Sequence, residues 1–222
     1  MKLRHVFFAF LTITLPFVFL MNAVILFFTP PFLKMEYEKA DFPPDPYGMT
    51  LEEREKYGSD SLLYITKNYD DSFMEEMTFP DGTTFYNERE VSHMRDVRIL
   101  FQKARVALGL IMILYVAIAW LVVKNPDSVP ECLKALERGG ILTFGIMAVI
   151  VAAILIDFDG LFTAFHHLFF TGSSWLFYAS DSLIRLYPEK LWVDGFTYVG
   201  VATLLFALLV ILIARMFAKK KC

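Results

Sequence analysis

The sequence predicts an α-helical membrane protein with four transmembrane helices and a small, partly β extracytoplasmic domain between helices one and two. Three observations lead there. Apolar residues make up 56% of the 222 residues, and 23 residues are phenylalanine. The mean hydropathy is +0.50, and the apolar residues gather in long blocks, as membrane spans require and a water-soluble core does not. Finally, Lys and Arg gather at one set of block ends, which gives the blocks a common orientation. The net charge of −3 points to no nucleic-acid partner.

The first block runs from about Val6 to Phe28, so residues 1–28 form the first span. Lys2 and Arg4 ahead of it also fit a signal peptide. The block is long for that, and Thr29-Pro30-Pro31-Phe32 offers no small-residue cleavage site. The second block runs from about Ala104 to Val123, the third from about Ile141 to Ile156, and the fourth from about Phe196 to Ile213. Helices of these lengths cross ~30 Å of hydrocarbon, the third with a few flanking residues, and in lipid only a helix or a closed barrel satisfies its own backbone. Lys2, Arg4, Lys124, Lys134, Arg138, Arg215 and Lys219-Lys220-Lys221 then fall on one side, the cytoplasm, together with both termini. Cys132 and Cys222 lie on that side too, which argues against a disulfide framework.

Two segments are left outside. Residues 29–100 are acidic and open with Pro43-Pro44-Asp45-Pro46. Leu51 to Tyr57 reads as a short helix, with Thr50 as N-cap and Glu53 completing a capping box. Pro80-Asp81-Gly82 between two short apolar runs reads as a hairpin turn. Glu88 to about Lys103 reads as a helix running into the second span. Residues 101–222 hold three further spans and an aromatic segment, 157–195, which suits a helix or a re-entrant stretch at the membrane interface.

The chemistry-bearing residues lie in these outer segments. His5 is a flanking polar residue of the leader, whereas His93, His166 and His167 each stand beside a span. Glu90, His93 and Asp96 are three apart and share a helix face, where a carboxylate can fix an imidazole's tautomer. Spacing alone leaves open a solvated helix start. His166 stands in Phe165-His166-His167-Leu168-Phe169-Phe170, as a buried, partnered ring or a functional one. Adjacent helical residues diverge by about 100°, so His166 and His167 do not serve one site together. Asp181, Asp157, Asp159 and Glu189 read first as members of ion pairs, with Asp157 able to meet Arg105 or Arg185. Arg95, Arg98, Lys103 and Arg105 stand outside the second span, where cations can meet lipid phosphates or an anionic headgroup. There is no GxSxG elbow, Gly-rich phosphate loop, HExxH or CxxC.

Glu90-Val91-Ser92-His93-Met94-Arg95-Asp96-Val97, then Phe165-His166-His167-Leu168-Phe169-Phe170 followed by Trp175, Asp181 and Tyr187-Pro188-Glu189, resemble the bacterial lipoprotein intramolecular transacylase family, called Lit. The early Asp45-Pro46-Tyr47-Gly48 and the four-span layout are similar as well, so the resemblance covers most of the chain. It implies an acyltransferase of the bacterial cell membrane that needs no cofactor and acts on diacylated lipoproteins. The sn-2 acyl chain moves to the α-amine of the N-terminal cysteine, giving the lyso form without an acyl-enzyme. The implied catalytic residues are His93 and His166, with Glu90, Asp96, Trp175 and Asp181 in support. His167, Arg95 and Arg98 rank lower, and Ser92, Ser173, Ser174 and Tyr178 are candidate hydrogen-bond partners.

Two other readings stand beside this one. His93, Asp96, His166 and His167 are ligand types for zinc, which would make the protein a metal-dependent membrane hydrolase. Alternatively the chain is a non-enzymatic scaffold whose acidic outer domain binds a partner.

Overall fold

The computed structural model describes residues 2–170, 172 and 174–219, with side chains from Arg4 onward; Ser173, Lys220, Lys221 and Cys222 lie outside the described residues. The fold is almost wholly helical. In chain order the helices are α1 (Lys2–Phe27), α2 (Pro30–Tyr37), α3 (Leu51–Lys67), α4 (Ser72–Glu75), α5 (Glu88–Lys124), α6 (Val129–Ile156), α7 (Phe158–Phe169), α8 (Ser182–Leu186) and α9 (Glu189–Lys219). Among the described residues four stretches are long and apolar enough to cross a membrane: Arg4–Phe27, Glu88–Lys124, Pro126–Ile156 and Glu189–Lys219. Within α5 the apolar block covers only the second half, and the charged first half precedes it.

The chain forms two compact units. The first collects Met1–Val24, Arg105–Phe158 and Tyr198–Cys222. Its helices meet closely at two adjacent glycines of α6. A Cβ on Gly139 would stand 2.5 Å from Leu15 Cδ1 and 3.1 Å from the Thr12 carbonyl oxygen. One on Gly140 would stand 2.5 Å from Ile211 Cγ1 and 3.1 Å from the Ala207 carbonyl oxygen. Small residues of this kind let helix backbones approach in lipid, where no hydrophobic effect drives them together. Around the notch, Thr12 Oγ1 lies 3.0 Å from the Ala135 carbonyl oxygen. Arg4 pairs with Glu131 at 2.6 Å and Arg215 with Glu137 at 2.7 Å. Cys132 is half-buried and free.

The second unit collects Ile25–Ala104 and Asp159–Thr197. Its core holds Tyr57, Tyr64, Ile65, Met74, Phe85, Tyr86, Val91, Met94, Leu183 and Leu186. The predicted capping box starts α3: Thr50 Oγ1 accepts from the Glu53 amide at 3.2 Å, and Glu53 Oε2 accepts from the Thr50 amide at 2.7 Å. The helix then runs well beyond Tyr57, because Tyr57, Ser61, Leu62, Tyr64 and Ile65 carry its buried stripe onward. Asn68 ends it in the left-handed conformation, φ 59°.

The partly β domain is not found; the described residues contain no strand. The turn at Pro80-Asp81-Gly82 does form, with Gly82 at φ +84° and Asp81 Oδ1 accepting from the Thr83 amide at 2.9 Å. Pairing stops at one antiparallel bridge, Thr78 to Thr84. The flanking residues are committed elsewhere: α4 ends at Glu75 and α5 begins at Glu88. Phe85 stacks on Tyr57 at 3.9 Å, with Phe79 at 4.6 Å, so the aromatic residues that suggested strands build a core instead.

The α6 glycines are testable. Gly139→Ala or Gly140→Ala overpacks the notch and costs about 1–3 kcal/mol, lowering the thermal unfolding midpoint of detergent-purified protein. Gly145→Ala, whose Cβ would meet nothing within 4 Å, leaves that midpoint unchanged.

Candidate active site

The site is built on the first turns of α5. Asn87 caps the helix: its Oδ1 accepts from the Glu90 amide at 3.1 Å, and Glu90 Oε2 accepts from the Asn87 amide at 2.8 Å. The other carboxylate oxygen, Oε1, accepts from the Leu183 amide at 2.8 Å, at the start of α8. Glu90 is only 1% exposed. Burial raises its pKa above the ordinary value, and the backbone donors at Asn87 and Leu183 oppose the rise. One side chain thus holds α8 against the start of α5. Ser182 adds a hydrogen bond to the Phe85 carbonyl. Asp181 takes Arg89 at 2.7 Å, the Asn87 side-chain amide at 3.1 Å and the Tyr178 backbone amide at 2.8 Å.

Side chains earlier in the chain brace α8. Arg54 donates to the carbonyls of Pro43 at 2.6 Å and Arg185 at 2.9 Å, and Tyr37 donates to that of Leu186 at 2.9 Å. Arg185 pairs with Asp45, whose side chain is fully buried, at 2.9 Å. Asp45 also accepts from the Met49 amide at 2.7 Å, across a turn in which Gly48 takes φ +87°.

His93 lies one turn after the cap, ahead of the apolar half of α5. Its ring is 6.2 Å from that of His166, the two planes inclined by 24°. Phe170 and Phe177 meet the His93 ring at 5.0 and 5.3 Å. Phe162 and Trp175 lie 4.0 and 4.7 Å from the His166 ring. Phe162, His166 and Phe170 are spaced by four, so they share one helical face. Of this enclosure the sequence singled out Trp175 but not Phe162, Phe170 or Phe177 as enclosing rings, although the spacing of Phe162 and Phe170 about His166 carried the signal.

The ring nitrogens of the two histidines are in different situations. His166 Nδ1 lies 2.8 Å from the Phe162 carbonyl oxygen. A carbonyl only accepts, so Nδ1 carries the proton and Nε2 holds the lone pair. Burial lowers the His166 pKa, with the Phe162 carbonyl opposing. His93 Nδ1 is buried and has no hydrogen-bond partner among the described residues. Burial, reinforced by His166, pulls the His93 pKa down to about 4. Both rings are therefore neutral at neutral pH.

The remaining predicted residues divide between the site and its frame. Trp175 is in the enclosure. Asp181 holds Arg89, the Asn87 side chain and the Tyr178 amide, and Glu90 holds two backbone amides, so neither meets an imidazole; this corrects the expectation that Glu90 orients His93, since its two oxygens are already taken. Asp96 is half-buried, and no hydrogen bond among the described residues joins it to His93. Arg95 and Arg98 both pair with Asp71, Arg98 at 3.1 Å, and Arg98 also donates to the Tyr69 carbonyl. Their charge is thus spent inside the unit. His167 is exposed and meets Trp175 edge-on at 5.4 Å. Among the described residues no three His, Cys, Asp or Glu side chains converge as a metal ligand set.

Four long apolar helices make this a multi-pass membrane protein. The sequence model of the lipoprotein intramolecular transacylase Lit family matches residues 7–192, and the chain belongs to that family. An uncharacterised protein of Aquifex aeolicus (strain VF5) is 27% identical over 214 residues, 95% of each chain. The in meso structure of the membrane-integral lipoprotein intramolecular transacylase Lit from Bacillus cereus is similar in fold, with a TM-score of 0.83 and 22% identity over 99% of this chain and 98% of that one. Structures of a histidine-to-arginine and a histidine-to-alanine mutant of the same Bacillus cereus protein align at TM-score 0.77. They are 21% identical to this chain and cover 99% of it, with 94% and 96% of their own chains matched.

Two outcomes follow. Glu90→Gln deprives one buried amide of its acceptor, costing about 1–3 kcal/mol, and denaturation in mild detergent reads the loss. His93 binds its proton only near pH 4 in the fold, against 6.5 as the ordinary value. Between these pH values the unfolded chain holds more protons at this position, so stability rises with pH from 4 to 6.5 and the His93 contribution is flat above. The NMR titration of the His93 ring shows the depressed midpoint, and a midpoint at or above 6.5 contradicts it.

Proposed function

We propose that this protein moves the sn-2 acyl chain of a lipoprotein's diacylglyceryl group to the α-amine of the lipoprotein's N-terminal cysteine. Family membership supports acyl transfer. The observation that carries the finer reading is the pair of neutral imidazoles 6.2 Å apart inside an aromatic enclosure. An α-amine has a pKa of about 8 and needs only a base to become a nucleophile. In this reading His166 is that base, because its Nδ1–H is held by the Phe162 carbonyl and Nε2 is left to accept.

The amine nitrogen attacks the sn-2 carbonyl carbon and gives its proton to His166. The bond from that carbon to the glycerol oxygen then breaks, and the oxygen takes the proton back. An ester and an amine become an alcohol and an amide, and no atom is left on the enzyme. His93 is too weak a base for this step. Its neutral ring serves as a hydrogen-bond donor to the carbonyl or the departing oxygen. Amine and ester belong to one molecule, so the enclosure contributes mainly by fixing their approach.

Charge supports the orientation. With Lys124, Lys134, Arg138 and Arg215 cytoplasmic, both histidine-bearing segments fall on the outer face of the bacterial cell membrane. Membrane lipid and diacylated lipoproteins are then the partners.

The test is expression in a strain that makes diacyl lipoproteins and lacks its own N-acylation, followed by mass spectrometry of N-terminal lipopeptides. The wild-type chain yields N-acyl, sn-2-deacylated peptides. His93→Asn and His166→Asn each lower their yield at least about 100-fold while the protein still inserts. Wild-type yield from either variant removes that histidine from the mechanism.

A further inference from the structure

Among the buried polar atoms of the second unit that have no hydrogen-bond partner in the described residues, three belong to His93 and to the turn packed on His166: His93 Nδ1, Trp175 Nε1 and Ser174 Oγ. Buried donors are nearly always paired in a folded protein, and each unpaired one forfeits about 1–3 kcal/mol. Those of His93 and of the Ser174-Trp175 turn are therefore groups waiting for a partner. An indole Nε1–H is a donor only, so what it waits for is an acceptor; a hydroxyl can donate as well. Trp175 is held close to the reacting groups, its ring 4.7 Å from that of His166 and within 6.3 Å of that of Phe162. Ser174 is the next residue back along the same turn.

We propose that Trp175 Nε1–H and Ser174 Oγ–H together hold the sn-2 carbonyl oxygen of the substrate and stabilise the oxyanion that forms there. The proposal rests on the transacylase reading and adds to it two groups that touch the reacting ester. When the amine attacks, the carbonyl π electrons move onto oxygen. Two preformed donors in a water-poor aromatic setting lower the energy of that charge most. Neither donor gives up its proton, so the proton still travels from amine to His166 to glycerol oxygen. The arrangement also explains a tryptophan where phenylalanine would fill the space: the ring packs on His166 while its one polar atom faces the ester.

The experiment uses purified full-length protein and a synthetic diacylglyceryl-cysteine lipopeptide, with product followed by mass spectrometry. Trp175→Phe keeps the ring and removes the donor; Ser174→Ala removes the other. Each lowers kcat by about 10- to 1,000-fold and leaves KM nearly unchanged. A kcat within twofold of the parent in both variants overturns the proposal and leaves the transacylase reading standing. Failure of the parent protein to make N-acyl product discards that reading instead. Should Trp175→Phe not fold, the indole Nε1–H resonance of the parent is read with a lipopeptide whose amine is acetylated, which binds through the same ester without reacting. A downfield shift of the Trp175 proton is expected, assigned against Trp120→Phe and Trp192→Phe. An unmoved resonance at saturating peptide overturns the proposal.

Discussion

The second unit is organised around one buried carboxylate. Glu90 spends both oxygens on backbone amides that have no other acceptor, Asn87 at the start of α5 and Leu183 at the start of α8. Removing a carboxylate from water is costly unless such donors meet it. Here the donors are the orphan N–H groups that every helix start exposes. Two helix starts and one side chain thus solve each other's problem. The imidazole of His93, three residues further on, inherits its position from that contact. So does α8, which Arg54 and Tyr37 fasten by the carbonyls of Arg185 and Leu186, and Asp45 by the Arg185 side chain.

Among the described residues the enclosure is made of aromatic rings and holds no carboxylate against either imidazole. That choice has an electrostatic meaning. A carboxylate beside His93 or His166 would raise its pKa and hold it charged. Phenylalanines do the reverse, and the lowered pKa values of both rings follow from burial first. A neutral imidazole can take a proton from an amine, whereas a charged one cannot. The Phe162 carbonyl is a milder anchor than a carboxylate. It fixes which nitrogen carries hydrogen without charging the ring.

Much of this was legible in the sequence. The four apolar blocks need no tertiary information, because lipid imposes length and composition directly. The capping box at Thr50 and Glu53 is local chemistry and formed as read. The same local rule applies at Asn87 and Glu90, where a cap residue precedes a glutamate by three. There the helix-face argument competed with it and assigned Glu90 to His93. The β reading failed because aromatic residues at Phe79 and Phe85 fit a strand face and a core equally well, and the choice depends on Tyr57, more than twenty residues away. Pairings such as Asp45 with Arg185 or Asp71 with Arg95 join segments whose proximity no periodicity encodes. The Phe162 carbonyl partner of His166 is a backbone atom and leaves no trace in residue type.

The two glycines of α6 carry a consequence for biogenesis. Gly139 receives residues of α1, made before α6, and Gly140 receives residues of α9, made after it. A membrane protein emerges in chain order, so α6 has half of its fit when it enters the bilayer. The other half comes only when α9 is released. Until then one notch faces lipid, and a Cβ-free surface open to a neighbour is an invitation to the wrong helix. Quality control that senses unfinished membrane proteins would read this one through that unfilled gap until Ile211 closes it.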